Sequence, residues 1–168
     1  DWLEPHWTFF EKKEGATEQQ VQAHVPPPVA QLLGRGGDKT GKYKDALVDV
    51  LSGKAGKLNN NMYQSAVIGL GLLAQPQEVE KADKKYTDAL LAYFHDGKDE
   101  QARNFTLMAM AKIGGAVNRT ELLKAFDALT TLPRTQLLAR SSLYRSAPVG
   151  KTDQPDFVNA VAALRTGL

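Results

Sequence analysis

Two stretches of this chain answer each other about forty residues apart, and this internal repetition narrows the folds open to it. Tyr43-Lys-Asp-Ala-Leu returns 43 residues later as Tyr86-Thr-Asp-Ala-Leu, and Gly69-Leu-Gly-Leu-Leu is matched after 40 by Ala109-Met-Ala-Lys-Ile. The pattern within each copy is helical. Tyr43, Ala46, Leu47, Val50 and Leu51 recur at steps of three and four, so they share one face of a helix that ends near Gly53. Asn59, Asn60 and Asn61 offer an N-cap for a second helix through Met62, Ala66, Val67, Leu70 and Leu73, which stops at Pro76. A third helix carries Tyr86, Ala89, Leu90, Tyr93 and Phe94 and closes at Gly97. The fourth runs from about Lys98 through Ala102, Phe105, Met108, Ala109 and Ile113 to Gly114. Gly69, Gly71, Ala109 and Ala111 are small enough to let helices approach closely.

Two helix pairs at this spacing resemble HEAT-type repeats, in which pairs of about 40 to 47 residues stack on their neighbours. An ordinary helical bundle is the alternative, because about three repeats are needed for a stable array. The resemblance implies a surface on the helical region for a protein partner. Ahead of it, residues 1–40 read as the least regular part. Pro26, Pro27 and Pro28 argue against a helix interior, and Gly34, Gly36 and Gly37 favour a loop. Trp2, Trp7, Phe9 and Phe10 are expected to pack on a neighbouring surface, since aromatic side chains bury large areas.

Beyond Pro133 the texture changes. Residues 137–144 and 157–164 favour two strands, joined by a loop containing Pro148, Gly150 and Pro155. Two strands cannot stand alone in water, so a third strand or a helical face must cover them. Ser141, Tyr144, Ser146 and Pro148, followed by Gln154, Pro155, Phe157, Asn159 and Ala160, resemble the hydroxymethyl-dihydropterin pyrophosphokinase family. In that family the stretch reads Ser-x-x-Tyr-x-Thr-x-Pro and then Gln-Pro-aromatic-x-Asn-Ala, so Ser146 stands where Thr is usual. The predicted helix over residues 118–132 resembles the family's first helix, which extends the resemblance to about 50 residues.

The resemblance implies a pterin site. Phe157 would stack on the ring, Asn159 would bond its polar edge, and backbone groups near Ser146, Ala147 and Val149 would contact it. Read without the resemblance, Phe157 is a strand core residue and Asn159 a turn or edge residue. The family's paired aspartates for two magnesium ions, its ATP-binding arginines and its second pterin-stacking aromatic fall beyond the matched stretch, and no Asp-x-Asp occurs in the 168 residues. The resemblance therefore implies an incomplete, truncated tail with no catalytic or metal residues and no cofactor of its own. ATP and magnesium enter only if the missing segment is supplied, and any pterin binding is expected to be weak.

Other chemistry finds little support. Gly36 to Lys42 has the spacing of a phosphate-binding loop, but Tyr43 follows where a small hydroxyl is needed and three prolines precede it in place of a strand. His6, His24 and His95 lack metal-ligand spacing, and His95 suits a helix C-terminus. A net charge of +2 with dispersed basic residues gives no case for nucleic acid. No run approaches the roughly 18 to 20 apolar residues that cross a bilayer, so no membrane is expected. Without cysteine or a signal pattern the expected place is cytoplasmic. Asp1 in the place of Met reads as a processed product, a fragment or an edited sequence.

The expected fold is mostly α, with HEAT-like helix pairs and a short C-terminal two-strand α+β segment. Three parts are expected: an irregular segment over 1–40, helical repeats over 41–117 and a truncated pyrophosphokinase-like segment over 118–168.

Overall fold

The computed structural model describes residues 2–130, 134–146 and 157–167. Eight helices come first: α1 (Leu3–Glu11), α2 (Ala16–Gln22), α3 (Pro26–Leu33), α4 (Lys42–Leu51), α5 (Asn60–Leu73), α6 (Lys84–Asp96), α7 (Glu100–Ile113) and α8 (Ala116–Leu129). A short 3-10 turn, Lys81–Asp83, leads into α6. Four strands follow: β1 (Thr135–Arg140), β2 (Tyr144–Ser146), β3 (Phe157–Asn159) and β4 (Ala162–Thr166). The chain is mostly α-helical with a short antiparallel β segment near its C-terminus, as expected.

Local chemistry fixes the ends of the central helices. The Asn59 side chain accepts the Met62 N–H at 3.1 Å and starts α5, and Asp99 accepts the Ala102 N–H at 2.7 Å and starts α7. Gly114, at φ 75°, ends α7 in a conformation that a residue with a Cβ adopts at a cost. Between these caps α5 is the axis of the molecule. Met62, Tyr63, Ala66, Val67, Leu70 and Leu73 are all buried, and α3, α4 and α7 pack around them. The pairs α4/α5 and α6/α7 stack, with α4 against α6 and α5 against α7. A Cβ built on Gly71 would lie 2.8 Å from the Ala109 Cα, so α5 and α7 approach at a distance only glycine permits.

The N-terminal expectation needs correction. Residues 1–40 are not irregular: they hold α1, α2 and α3. Pro26 occupies the first position of α3 and Pro27 the second, where helix N–H groups have no intrahelical acceptor and proline's fixed φ is already helical. Side-chain amides dock these helices. Gln22, fully buried, donates to the carbonyls of Phe9 and Lys12 at 2.7 and 3.0 Å, and Gln19 accepts the Asn59 N–H at 2.7 Å. Trp7 and Phe10 are buried, with the Trp7 ring edge-on to Tyr43 at 4.7 Å, whereas Trp2 is exposed. Met108 also departs from expectation: Ala109 turns into the core and Met108, 100° around the helix, is 68% exposed.

Each of the two expected strands is found in two pieces. β1 pairs antiparallel with β4, from Thr135↔Thr166 to Arg140↔Ala162, and β2 pairs with β3, from Tyr144↔Asn159 to Ser146↔Phe157. Between them the Ser141 Oγ accepts the Val161 N–H at 2.9 Å, a side chain standing in for a ladder carbonyl, while the Ser141 N–H donates to the Val161 carbonyl at 2.9 Å. The result is one interrupted antiparallel ribbon. Helices provide its cover, with α7 against β3 and α8 against β1, the latter tied by Arg140 to Asp127 at 2.8 Å.

Candidate functional site

Where β3 meets the helix stack, a groove of about 630 Å³ opens between α3, α5 and α7. Helix α3 contributes Pro27, Pro28 and Gln31, α5 contributes Ile68, Gly71 and Leu72, and α7 contributes Phe105, Met108, Ala109 and Lys112. Asn159 of β3 completes the lining. The walls are apolar because these helices turn half-buried and exposed apolar side chains here, and the floor is shallow because Gly71 and Ala109 carry so little. Two amides and one ammonium supply the polar points.

Asn159 is held in place by the ribbon. Its Nδ2 donates to the Ser146 Oγ at 2.6 Å, across the β2–β3 pair. Phe157 is placed by its backbone opposite Ser146. The structure thus brings Ser146, Phe157 and Asn159 onto one short β pair, with Ser146 and Asn159 bonded to each other. Ala147 and Val149 lie outside the described residues.

Arg35 does not line the groove but bonds the backbone beside it, at Lys112. Its guanidinium donates to the carbonyls of Ala74 at 3.3 Å, Ile113 at 3.1 Å and Lys112, and so caps the C-terminal ends of both α5 and α7. Burial lowers the Arg35 pKa. Burial, and then the neighbouring Arg35 charge, lower that of Lys112.

A second polar cluster joins α4 to the turn before α6 and serves the fold. The Lys44 Nζ sits 2.7 Å from Asp83 Oδ1, both side chains buried, and 4.7 Å above the Tyr86 ring. Asp83 Oδ2 accepts the Gln75 N–H and Asp38 Oδ2 accepts the Lys44 N–H, each at 2.8 Å. The Tyr86 hydroxyl donates to Asp45 at 2.9 Å, and Lys85 pairs with the same carboxylate at 2.6 Å. The Lys44–Asp83 pair is sealed from solvent, whereas Lys85 and Asp45 lie exposed at its edge. The stretch from Gly36 to Lys42 is a turn leading into α4, and the Lys42 ammonium bonds Glu4 rather than standing over a phosphate cradle. Among the described residues, no group of His, Asp and Glu is arranged to hold a metal ion, and no helix is long and apolar enough to cross a membrane.

Ser146, Phe157 and Asn159 are legible in the sequence through the family resemblance, whereas Gln31, Arg35 and Lys112 are not. The prolines of α3 were the available signal: three in succession followed by Val29, Ala30, Leu32 and Leu33 fit a helix start as well as a loop.

Comparison with known proteins bears on the tail. Residues 101–168 match the family described as 7,8-dihydro-6-hydroxymethylpterin-pyrophosphokinase. A 2-amino-4-hydroxy-6-hydroxymethyldihydropteridine pyrophosphokinase of Pseudomonas aeruginosa is 54% identical over 50 residues, which cover 30% of this chain and 31% of that protein. Its counterpart in Haemophilus influenzae is 48% identical over 48 residues, covering 29% of this chain and 30% of that one. The C-terminal region aligns with the N-terminal part of these enzymes, so the chain spans under a third of the length of the curated relatives it matches. No solved structure matches the chain.

Proposed function

We propose that the chain is a helical-repeat binding or scaffold module, HEAT-like in its stacked helix pairs, that carries an incomplete pterin-pyrophosphokinase-like tail. One observation carries this reading. Among the described residues, every buried apolar side chain lies between Trp7 and Ile113, so the helix stack fills a core of its own. In this account the module comprises residues 41–117 with residues 1–40 packed against it, the tail begins near residue 118, and the protein works in the cytoplasm by engaging a protein partner through the helices. Neither nucleic acid nor membrane has a part in it.

The tail would not act alone. Diphosphate transfer from ATP requires metal ions and cationic groups around the phosphates, and the match to the relatives stops at about a third of their length. A second reading is favoured by the 54% identity itself: a fragment of a folate-pathway enzyme that moves diphosphate from ATP, with magnesium, to 6-hydroxymethyl-7,8-dihydropterin once the remaining segments are supplied. The two readings separate on pterin affinity. With one aromatic wall, Phe157, and one amide, Asn159, a pterin analogue should bind at roughly millimolar strength or weaker. Ligand-observed NMR titrations of the parent, Phe157→Ala and Asn159→Ala test this. Tight binding that both substitutions abolish would establish a working pocket and contradict the vestige; tight binding that neither disturbs would put the ligand elsewhere.

A further inference from the structure

We propose that a recess between the α1–α2 link, residues 12–15, and the α4–α5 link, residues 52–59, docks an acidic peptide segment of a partner protein. One large apolar side chain of that segment enters the recess, and carboxylates on either side of it meet the rim. This rests on the reading of the chain as a protein-binding module and names the chemistry of what it binds.

The recess reaches the core from outside. It holds about 500 Å³, and Phe10 of α1, Ala46 and Val50 of α4, and Leu58 and Met62 on the α5 side give it an apolar lining. Phe10, Val50 and Met62 belong to the buried core, so an apolar side chain that enters here packs directly on core side chains. The mouth is fixed before anything binds. Gln19, itself buried, donates to the Glu14 carbonyl at 3.0 Å and the Lys57 carbonyl at 3.4 Å, and accepts the Asn59 N–H at 2.7 Å. The Asn59 side chain donates in turn to the Ala16 carbonyl at 3.1 Å. These bonds tie one link to the other, and a site already in its bound shape loses less entropy on docking.

The rim sets the sign of the partner. Four lysines stand around the recess, Lys12 and Lys13 on the first link and Lys54 and Lys57 on the second. Of the carboxylates beside them, Glu11 accepts the Trp7 indole N–H at 3.0 Å and Asp49 pairs with Lys54 at 3.5 Å. Among the described residues, the ammonium groups of Lys12, Lys13 and Lys57 bond no carboxylate, and Glu14 is the one acid of the rim left without a cation or an N–H. Three open cations against one open anion favour a partner that brings carboxylates. Acids on both sides of an apolar residue would meet Lys12 and Lys13 on one link and Lys57 on the other.

NMR titration of the isotope-labelled protein at low salt with acetyl-Glu-Asp-Phe-Asp-Glu-amide tests the assignment. The peptide should shift the backbone amides of Ala55, Gly56 and Leu58. It should bind about tenfold more tightly than its uncharged counterpart, acetyl-Gln-Asn-Phe-Asn-Gln-amide, as a few exposed ion pairs together contribute, and added salt should erase that difference. Exchanging its Phe for Ala should weaken it as well. Lys12→Glu and Lys57→Glu should each weaken the acidic peptide severalfold, whereas Lys39→Glu, the same change of charge at an exposed position outside the recess, should not. All three side chains are exposed, so thermal unfolding of the variants should match the parent. Equal affinity for the charged and uncharged peptides, an equal loss with Lys39→Glu, shifts confined to the groove of α3, α5 and α7, or no binding would each overturn the proposal. So would an oligothymidylate that moves the same amides and binds more tightly than the peptide, which would make the rim a phosphate surface. None of these failures removes the helical-module reading, which the pterin titration tests separately.

Discussion

The Lys44 ammonium lies 2.7 Å from the Asp83 carboxylate inside the protein, 39 residues away in sequence, and the pair joins α4 to the turn that begins α6. It is therefore a rivet between the two helix pairs. Lys44→Met should destabilise the fold by about 3 to 5 kcal/mol, because it strands a buried carboxylate. Lys44→Met with Asp83→Leu should recover part of that loss but not all of it, since the Gln75 N–H would lose its acceptor at Asp83 Oδ2. Denaturant titration of the two variants checks both statements; a Lys44→Met protein as stable as the parent would remove the rivet from the account.

Gly71→Ala should destabilise by about 1 to 3 kcal/mol, the usual cost of overpacking. The added methyl would fall 2.8 Å from both the Cα and the Cβ of Ala109, and backbone cannot yield as a flexible side chain would. Its better helix propensity would offset the cost by less than about 1 kcal/mol. Thermal unfolding checks the sign, and an unchanged or raised melting temperature would mean that α5 and α7 do not approach so closely.

Tyr86 predicts a loss of stability in alkali. Burial, and then its hydrogen bond to Asp45, push its phenol from 10.0 up to about 12. A folded-state pKa above the unfolded one gives stability that is complete below pH 10 and disappears as the pH rises through about 12. Tyr86→Phe should flatten that decline, and absorbance titration of the parent should show one tyrosine ionising well above an ordinary phenol. On the acid side, burial alone would raise the Asp45 pKa, but hydrogen bonds from Lys85 and Tyr86 outweigh it and hold the carboxyl below its usual value. Its contribution is accordingly present above the ordinary carboxylate range and lost as the pH falls through the lowered pKa.

The four helices α4 to α7 were legible because their apolar steps, caps and terminal glycines agree: Leu47, Leu70, Leu90 and Ile113 are buried as the periodicity requires, and Asn59 caps α5 as its side chain allows. The helices α1 to α3 were not. They run seven to nine residues, too short for a convincing period, and α3 opens on prolines that signal a loop unless their place in the first turn is known. Ser146 and Asn159 could be named through a family resemblance, but their mutual bond depends on a register that the sequence does not state. Lys112 and Arg35 could not be named at all. What brings them together is the convergence of two helix ends, Ala74 and Ile113, on one guanidinium, which is a tertiary event with no local signal.

The most direct test of the central claim is an assay of the purified chain for ATP-dependent diphosphate transfer to 6-hydroxymethyl-7,8-dihydropterin in the presence of magnesium. The account predicts no turnover above background, with the protein folded and helix-rich by circular dichroism, because the tail aligns with only about a third of the enzymes it resembles. Robust turnover that Asn159→Ala diminishes would contradict it, and would make the chain an enzyme in its own right.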